Sequence, residues 1–183
     1  MTLRVLGIDP GLTRCGIGIV DVSATRTATL VHVGVIATPP TLALEQRLLA
    51  IARGIEEALD RFSPQAVGLE RMFAQHNLRT VMGTAQASGV ALQIAASRGL
   101  AVGLHTPSEV KAAITGYGAA DKRQVGTMVA KVLGLAEIPR PADAADALAI
   151  ALCHAWKGPS LVVAGGTLTP AQQAWRAAER AAR

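Results

Sequence analysis

Residues 3–9, 15–22 and 29–36 are short runs rich in valine and isoleucine, divided by Pro10-Gly11 and by polar turns. That pattern predicts three strands in an antiparallel meander. From 42 to 62 the spacing changes: Leu44, Leu48, Ile51, Ile55 and Leu59 recur every three or four residues, with Arg and Glu between them, until Ser63-Pro64 ends the run. This is the period of an amphipathic helix. Residues 66–69 form a short apolar strand with Glu70 at its carboxyl end, and a helix that joins such a strand to an existing sheet implies a right-handed crossover. A second helix is predicted over 78–97, a fifth strand over 100–104, and helices over 108–114, 121–133 and 142–156.

The helix over 78–97 carries Gly83, Ala85, Ala87, Ser88, Gly89 and Ala91 where bulkier residues are usual. Such a face packs closely, either on its own sheet or against a second copy across a dimer axis. Beyond Gly158-Pro159 the pattern weakens. Gly165-Gly166 reads as a linker, and Thr169-Pro170 starts a short helix with Arg176, Arg180 and Arg183 on one face. The chain therefore divides into one domain over 1–158 and a basic tail over 159–183, which reads as a solvated helix before a dedicated DNA arm.

No apolar run approaches the roughly 20 residues that span a bilayer, and Asp9-Pro10-Gly11 interrupts any leader-like stretch, so a cytosolic protein is expected. Cys15 and Cys153 lie far apart in apolar segments without a CxxC pairing, as reduced, buried thiols do.

Four acids interrupt this apolar pattern. Asp9 and Glu70 end two strands that a crossover can set side by side, and Asp143 and Asp146 are i and i+3 on one helix face. Asp143 follows Pro141 and suits a helix N-terminus, but Asp146 sits past the first turn in a segment otherwise apolar through Cys153, so capping does not account for it. Converging carboxylates repel unless hard cations with oxygen ligands neutralise them, which points to magnesium or manganese. Histidine competes poorly as a ligand. His154 stands eleven residues beyond Asp143, about 16 Å along a helix axis, and His32 is in mid-strand, while His76 and His105 fall in a loop or at a strand end within reach of a substrate. Charge changes the picture further: eighteen Lys and Arg face thirteen Asp and Glu, and setting four clustered acids aside leaves a surface near +9 that suits a polyanion.

Five segments carry a resemblance: GIDPGLTRCG at 7–16, LERMF at 69–73, TPSEVK at 106–111, GYGAADKRQV at 116–125 and PADAADALAIA at 141–151. In this order, over about residues 3–156, they resemble the RuvC family of Holliday-junction resolvases. The resemblance implies a ribonuclease H-like α/β fold, a five-stranded mixed sheet flanked by helices. It implies a metal-binding catalytic tetrad of Asp9, Glu70, Asp143 and Asp146, with Lys111 and Lys122 near the scissile phosphate and Phe73 on junction DNA. Lys122 is expected to be catalytic as well. Arg14, Arg71, Arg79, Tyr117 and Arg123 are further expected DNA contacts.

The implied activity is paired, symmetric nicking of four-way junctions in recombination and repair, by two-metal hydrolysis that leaves 5′-phosphate and 3′-hydroxyl ends. Two nicks imply a homodimer, with the 78–97 helix as candidate interface, and the family further implies RuvA and RuvB as partners. Two rivals remain: an ATP-binding domain of the actin and sugar-kinase type, whose phosphate loop also follows a GID strand, and a non-catalytic junction-binding protein. The first normally needs two such domains; the second leaves four acids in apolar segments unexplained.

Overall fold

A computed structural model describes residues 2–71 and 78–157. The predicted 159–183 tail helix lies outside them. Five strands, β1 (Thr2–Asp9), β2 (Arg14–Ser23), β3 (Ala28–Ala37), β4 (Ala66–Glu70) and β5 (Ala101–His105), form one sheet in the order β3-β2-β1-β4-β5. The first three are the antiparallel meander, and β4 and β5 add in parallel beside β1. The helices are α1 (Leu44–Phe62), α2 (Leu78–Ser97), α3 (Pro107–Thr115), α4 (Lys122–Val132) and α5 (Ala142–Lys157). Every element expected within the described residues is present, and the mixed, helix-flanked sheet is the fold class expected from the sequence.

Boundaries moved where capping decides them. Thr106 and Asp121 close reciprocal capping boxes with Glu109 and Gln124, so α3 begins at Pro107 and Asp121 stands outside α4 as its cap. Helix α1 begins at Leu44 rather than Leu42, and ends at Ser63, a left-handed residue whose N–H bonds the Leu59 carbonyl.

The pleat divides the core in two. Leu6, Ile8, Ile17, Ile19, Val67 and Leu69 pack with α1 and α2 on one face; Val5, Val20, Val22 and Ala66 pack with α3, α4 and α5 on the other. On the α5 face the sheet is nearly bare at its centre, because Gly18, Gly7, Gly68 and Gly103 stand in register across four neighbouring strands. A Cβ on Gly7 would run into the Ala147 carbonyl and Ala151, and one on Gly18 would come within 2.7 Å of the Leu148 nitrogen. Helix α5 therefore lies directly on backbone, as glycine in a strand allows. Gly7→Ala is expected to lift α5 and cost about 1–3 kcal/mol, because the opposing atoms are backbone and cannot swing aside. A denaturant midpoint with an unchanged m-value is the check.

Cys15 and Cys153 are free and buried, as expected. Among the described residues no helix is long and apolar enough to cross a membrane.

Candidate active site

Period-two alternation puts Asp9 in phase with Gly7, and Glu70 with Gly68, so both acids leave the sheet on the α5 side. Strands β1 and β4 are parallel neighbours, with Ile8 opposite Leu69, and their carboxyl ends present the two side chains together. Helix α5, pressed onto the glycine row, brings Asp143 in its first turn and Asp146 one turn on.

These carboxylates feel one another. Asp9 is pushed up to about 8, by burial first and then by the charges of Glu70, Asp146 and Asp143, with Lys122 opposing. Glu70 is raised by burial and by Asp146, against Lys122 and Lys111. Lys122 Nζ donates to Asp146 Oδ2 at 2.9 Å, and that bond raises the lysine. Arg14 Nε lies 2.9 Å from Asp143 Oδ2, a charge contact whose N–H is not aimed at the oxygen, and this buried oxygen has no hydrogen-bond partner among the described residues.

Three of the acids, Asp9, Glu70 and Asp146, open with Lys111 and Lys122 into one cavity of about 310 Å³. Asp143 opens instead into an adjoining cleft of about 380 Å³ with Arg14 and Arg47. Among the described residues the acids do not close around one point at metal-ligand distances. Arg14 and Lys122 supply the cations that the cluster needs.

The other expected contacts scatter. Tyr117 is 65% exposed and shares a separate cavity, about 530 Å³, with Arg123, so neither joins the acids. Arg71 is exposed, and its backbone N–H donates to the His105 carbonyl at 2.7 Å. Phe73, His76 and the side chain of Arg79 lie outside the described residues.

The histidines required a correction. His105 does not reach outward to a substrate: it is buried, in phase with Gly103, and its Nε2 meets Nδ1 of buried His154 at 3.0 Å. His32 stacks on Phe62, ring centroids 4.7 Å apart. Sequence reasoning did not single out Arg47, which is half-buried on α1 one turn before buried Ile51 and reaches the turn after β1.

The sequence model of the family described as "Crossover junction endodeoxyribonuclease RuvC" matches residues 5–154, most of the chain. The chain belongs to the RuvC family. A relative of the same description from Leifsonia xyli subsp. xyli is 66% identical over 98% of this chain and 93% of its own length. Among solved structures, T. thermophilus RuvC in complex with Holliday junction substrate superposes with a TM-score of 0.81 at 40% identity, over 85% of this chain and 94% of that one. The yeast mitochondrial Holliday junction resolvase Ydc2, at 13% identity, covers 82% of this chain and 78% of its own with a TM-score of 0.61, and shares the fold. All four acids that the RuvC resemblance singled out fall inside the matched span.

Proposed function

We propose that this RuvC-family chain is a crossover junction endodeoxyribonuclease that resolves four-way DNA junctions by paired, symmetric nicks. What supports the reading is the family match over residues 5–154, with Asp9, Glu70 and Asp146 lining one cavity and Asp143 beside it on α5. Neither an ATP-binding actin-like domain nor a non-catalytic binding module is favoured by that match.

Asp9, Glu70, Asp143 and Asp146 fit hard divalent cations. They offer oxygen donors only, Asp9 and Glu70 are held above the usual carboxylate range, and Asp143 Oδ2 is buried without an aligned donor. That chemistry suits magnesium or manganese better than zinc. Two such ions would lower the pKa of the attacking water and stabilise the leaving 3′ oxygen.

The chain's own residues do the rest. Lys111 and Lys122 draw the scissile phosphate into the cavity beside the acids, and Lys122 offsets the charge that builds on the phosphoryl oxygens as water adds and the bond to the 3′ oxygen breaks. The products are a 5′-phosphate and a 3′-hydroxyl. Arg14, Arg71, Arg79, Tyr117, Arg123 and Phe73 hold flanking DNA, which makes affinity salt-sensitive. Two active sites are needed for two nicks, so the working form is a homodimer, with α2 as its contact, acting in the cytoplasm beside RuvA and RuvB. Met82 and Leu92 are exposed on α2, and Gly89 faces open space, which leaves that face free for a second copy.

A mobile four-way junction and a linear duplex are the substrates that test this, with magnesium or manganese, comparing the native chain with Asp146→Asn. Paired nicks on the junction alone, reduced at least about a thousandfold in the variant, are expected. Binding without nicking by the native chain would demote it to a junction-binding protein, and protection by ATP would revive the kinase-like reading.

A further inference from the structure

We propose that the cleft beside Asp143 is a preformed phosphate subsite, in which Arg47 holds a phosphodiester of the DNA strand flanking the cut. The inference rests on the resolvase reading and adds a residue and a location to it. The turn after β1 (Gly11, Leu12, Thr13), α1 and α2 wall the cleft, and Leu12 packs against Gly83, where a Cβ would come within 3.1 Å of it.

Arg47 crosses from α1 to this turn. Its Nε donates to Thr38 Oγ1 at 2.9 Å and a terminal nitrogen donates to Thr13 Oγ1 at 2.8 Å. The Thr38 hydroxyl is itself buried and donates to the Leu12 carbonyl. The guanidinium is thus fixed by two neutral hydroxyls and has no carboxylate partner among the described residues. A cation held in place on one side and uncompensated is ordered in advance for an anion, so little side-chain entropy remains to be lost on binding.

Charge in the cleft favours the same ligand. Among the described residues its one carboxylate, Asp143, is already matched by Arg14 at 2.9 Å, which leaves Arg47 as the unmatched positive charge. Position also agrees: Asp143 of this cleft and Asp146 of the catalytic cavity are three residues apart, about 4.5 Å along α5. A strand whose scissile phosphate sits over Asp9, Glu70 and Asp146 can set a neighbouring phosphate against Arg47.

The test separates charge from the guanidinium fork. Arg47→Gln retains an N–H donor and loses the charge; Arg47→Lys retains the charge and a donor but loses the planar fork that bridges Thr38 and Thr13. Junction affinity is measured against salt with calcium in place of magnesium, for both variants and the native chain. We expect Arg47→Gln to bind about five- to tenfold more weakly at 0.1 M salt, with a log–log salt slope shallower by about 0.9, and Arg47→Lys to keep the native slope. Junctions carrying a single neutral methylphosphonate at successive positions near the nick should then reveal one position that weakens the native chain and leaves Arg47→Gln unaffected. Equal slopes and equal methylphosphonate penalties in the native chain and Arg47→Gln overturn the subsite while leaving the resolvase reading intact. A native chain that neither binds nor nicks junctions removes both. The native methylphosphonate scan stands by itself if Arg47→Gln folds poorly: no sensitive phosphate outside the scissile one overturns the proposal.

Discussion

Asp9→Asn is expected to abolish strand cleavage and, in the same molecule, to raise the stability of the metal-free protein. Asp9 ends β1 in a place where burial and three neighbouring carboxylates push it up to about 8. A group whose folded-state pKa lies above its unfolded value favours the fold at low pH and loses that contribution as pH rises toward the folded value. For Asp9 the loss runs from near the ordinary carboxylate pKa up to about 8. At pH 7, where the unfolded acid is ionised and the folded one still resists ionisation, the electrostatic cost is on the order of 4 kcal/mol. An amide has the same shape without the charge, but it must satisfy its own N–H groups, so a gain of about 2 kcal/mol in metal-free buffer is expected. Cleavage should fall at least about a thousandfold, because the proposed cations lose a ligand. Thermal melts with and without magnesium check the argument: magnesium should stabilise the native chain and have little effect on Asp9→Asn. A variant less stable than the native chain without metal would mean that the four acids do not strain the fold.

The elements of this fold were legible because each carries a local signal. Alternation and a 3.6-residue period mark strands and helices; Asp9 and Glu70 were conspicuous as acids that end apolar strands, Asp146 as an acid inside an apolar helix, and Asp143, which also suits a helix N-terminus, by its i, i+3 spacing to Asp146. What was hidden depends on register between distant strands. Gly7, Gly18, Gly68 and Gly103 are unremarkable one at a time, and only the pairing of four strands aligns them into the floor on which α5 rests. The same holds for side-chain direction. Asp143 and Asp146 share a helix face by spacing, yet they open into two adjoining cavities, and the cation contacts of Arg14 and Lys122 come from different elements. His105 ends its strand as read, but the pleat phase that turns it toward α5 follows from Gly103 beneath the His154 ring.

That buried histidine pair underlies the second large effect, a loss of stability in acid. His105 Nε2 and His154 Nδ1 share one hydrogen bond, in which one ring donates and the other accepts, so at least one ring must stay neutral to accept it, and two charged rings would lose the bond. His154 Nε2 is buried with no partner among the described residues, and a proton added there would carry charge into the core without a counter-ion. Burial first, then His105, lowers His154 to about 4, and His105 is lowered by burial and by Lys157, with Glu109 opposing. A folded histidine that resists protonation stabilises the fold above its ordinary pKa. That contribution is lost as pH falls from about 6.5 toward 4, where the unfolded ring takes a proton and the folded one does not. Between pH 7 and pH 4.5 the loss assigned to His154 is about 2 kcal/mol. Asp9 and Glu70 change in the opposite sense over the same window, so the comparison must be differential. Urea unfolding of the native chain and of His154→Gln at both pH values isolates the histidine. The variant is expected to start less stable at pH 7 and to lose about 2 kcal/mol less on acidification than the native chain. Parallel losses in the two proteins would mean that His154 is protonated within the fold and that its buried nitrogen has found a partner.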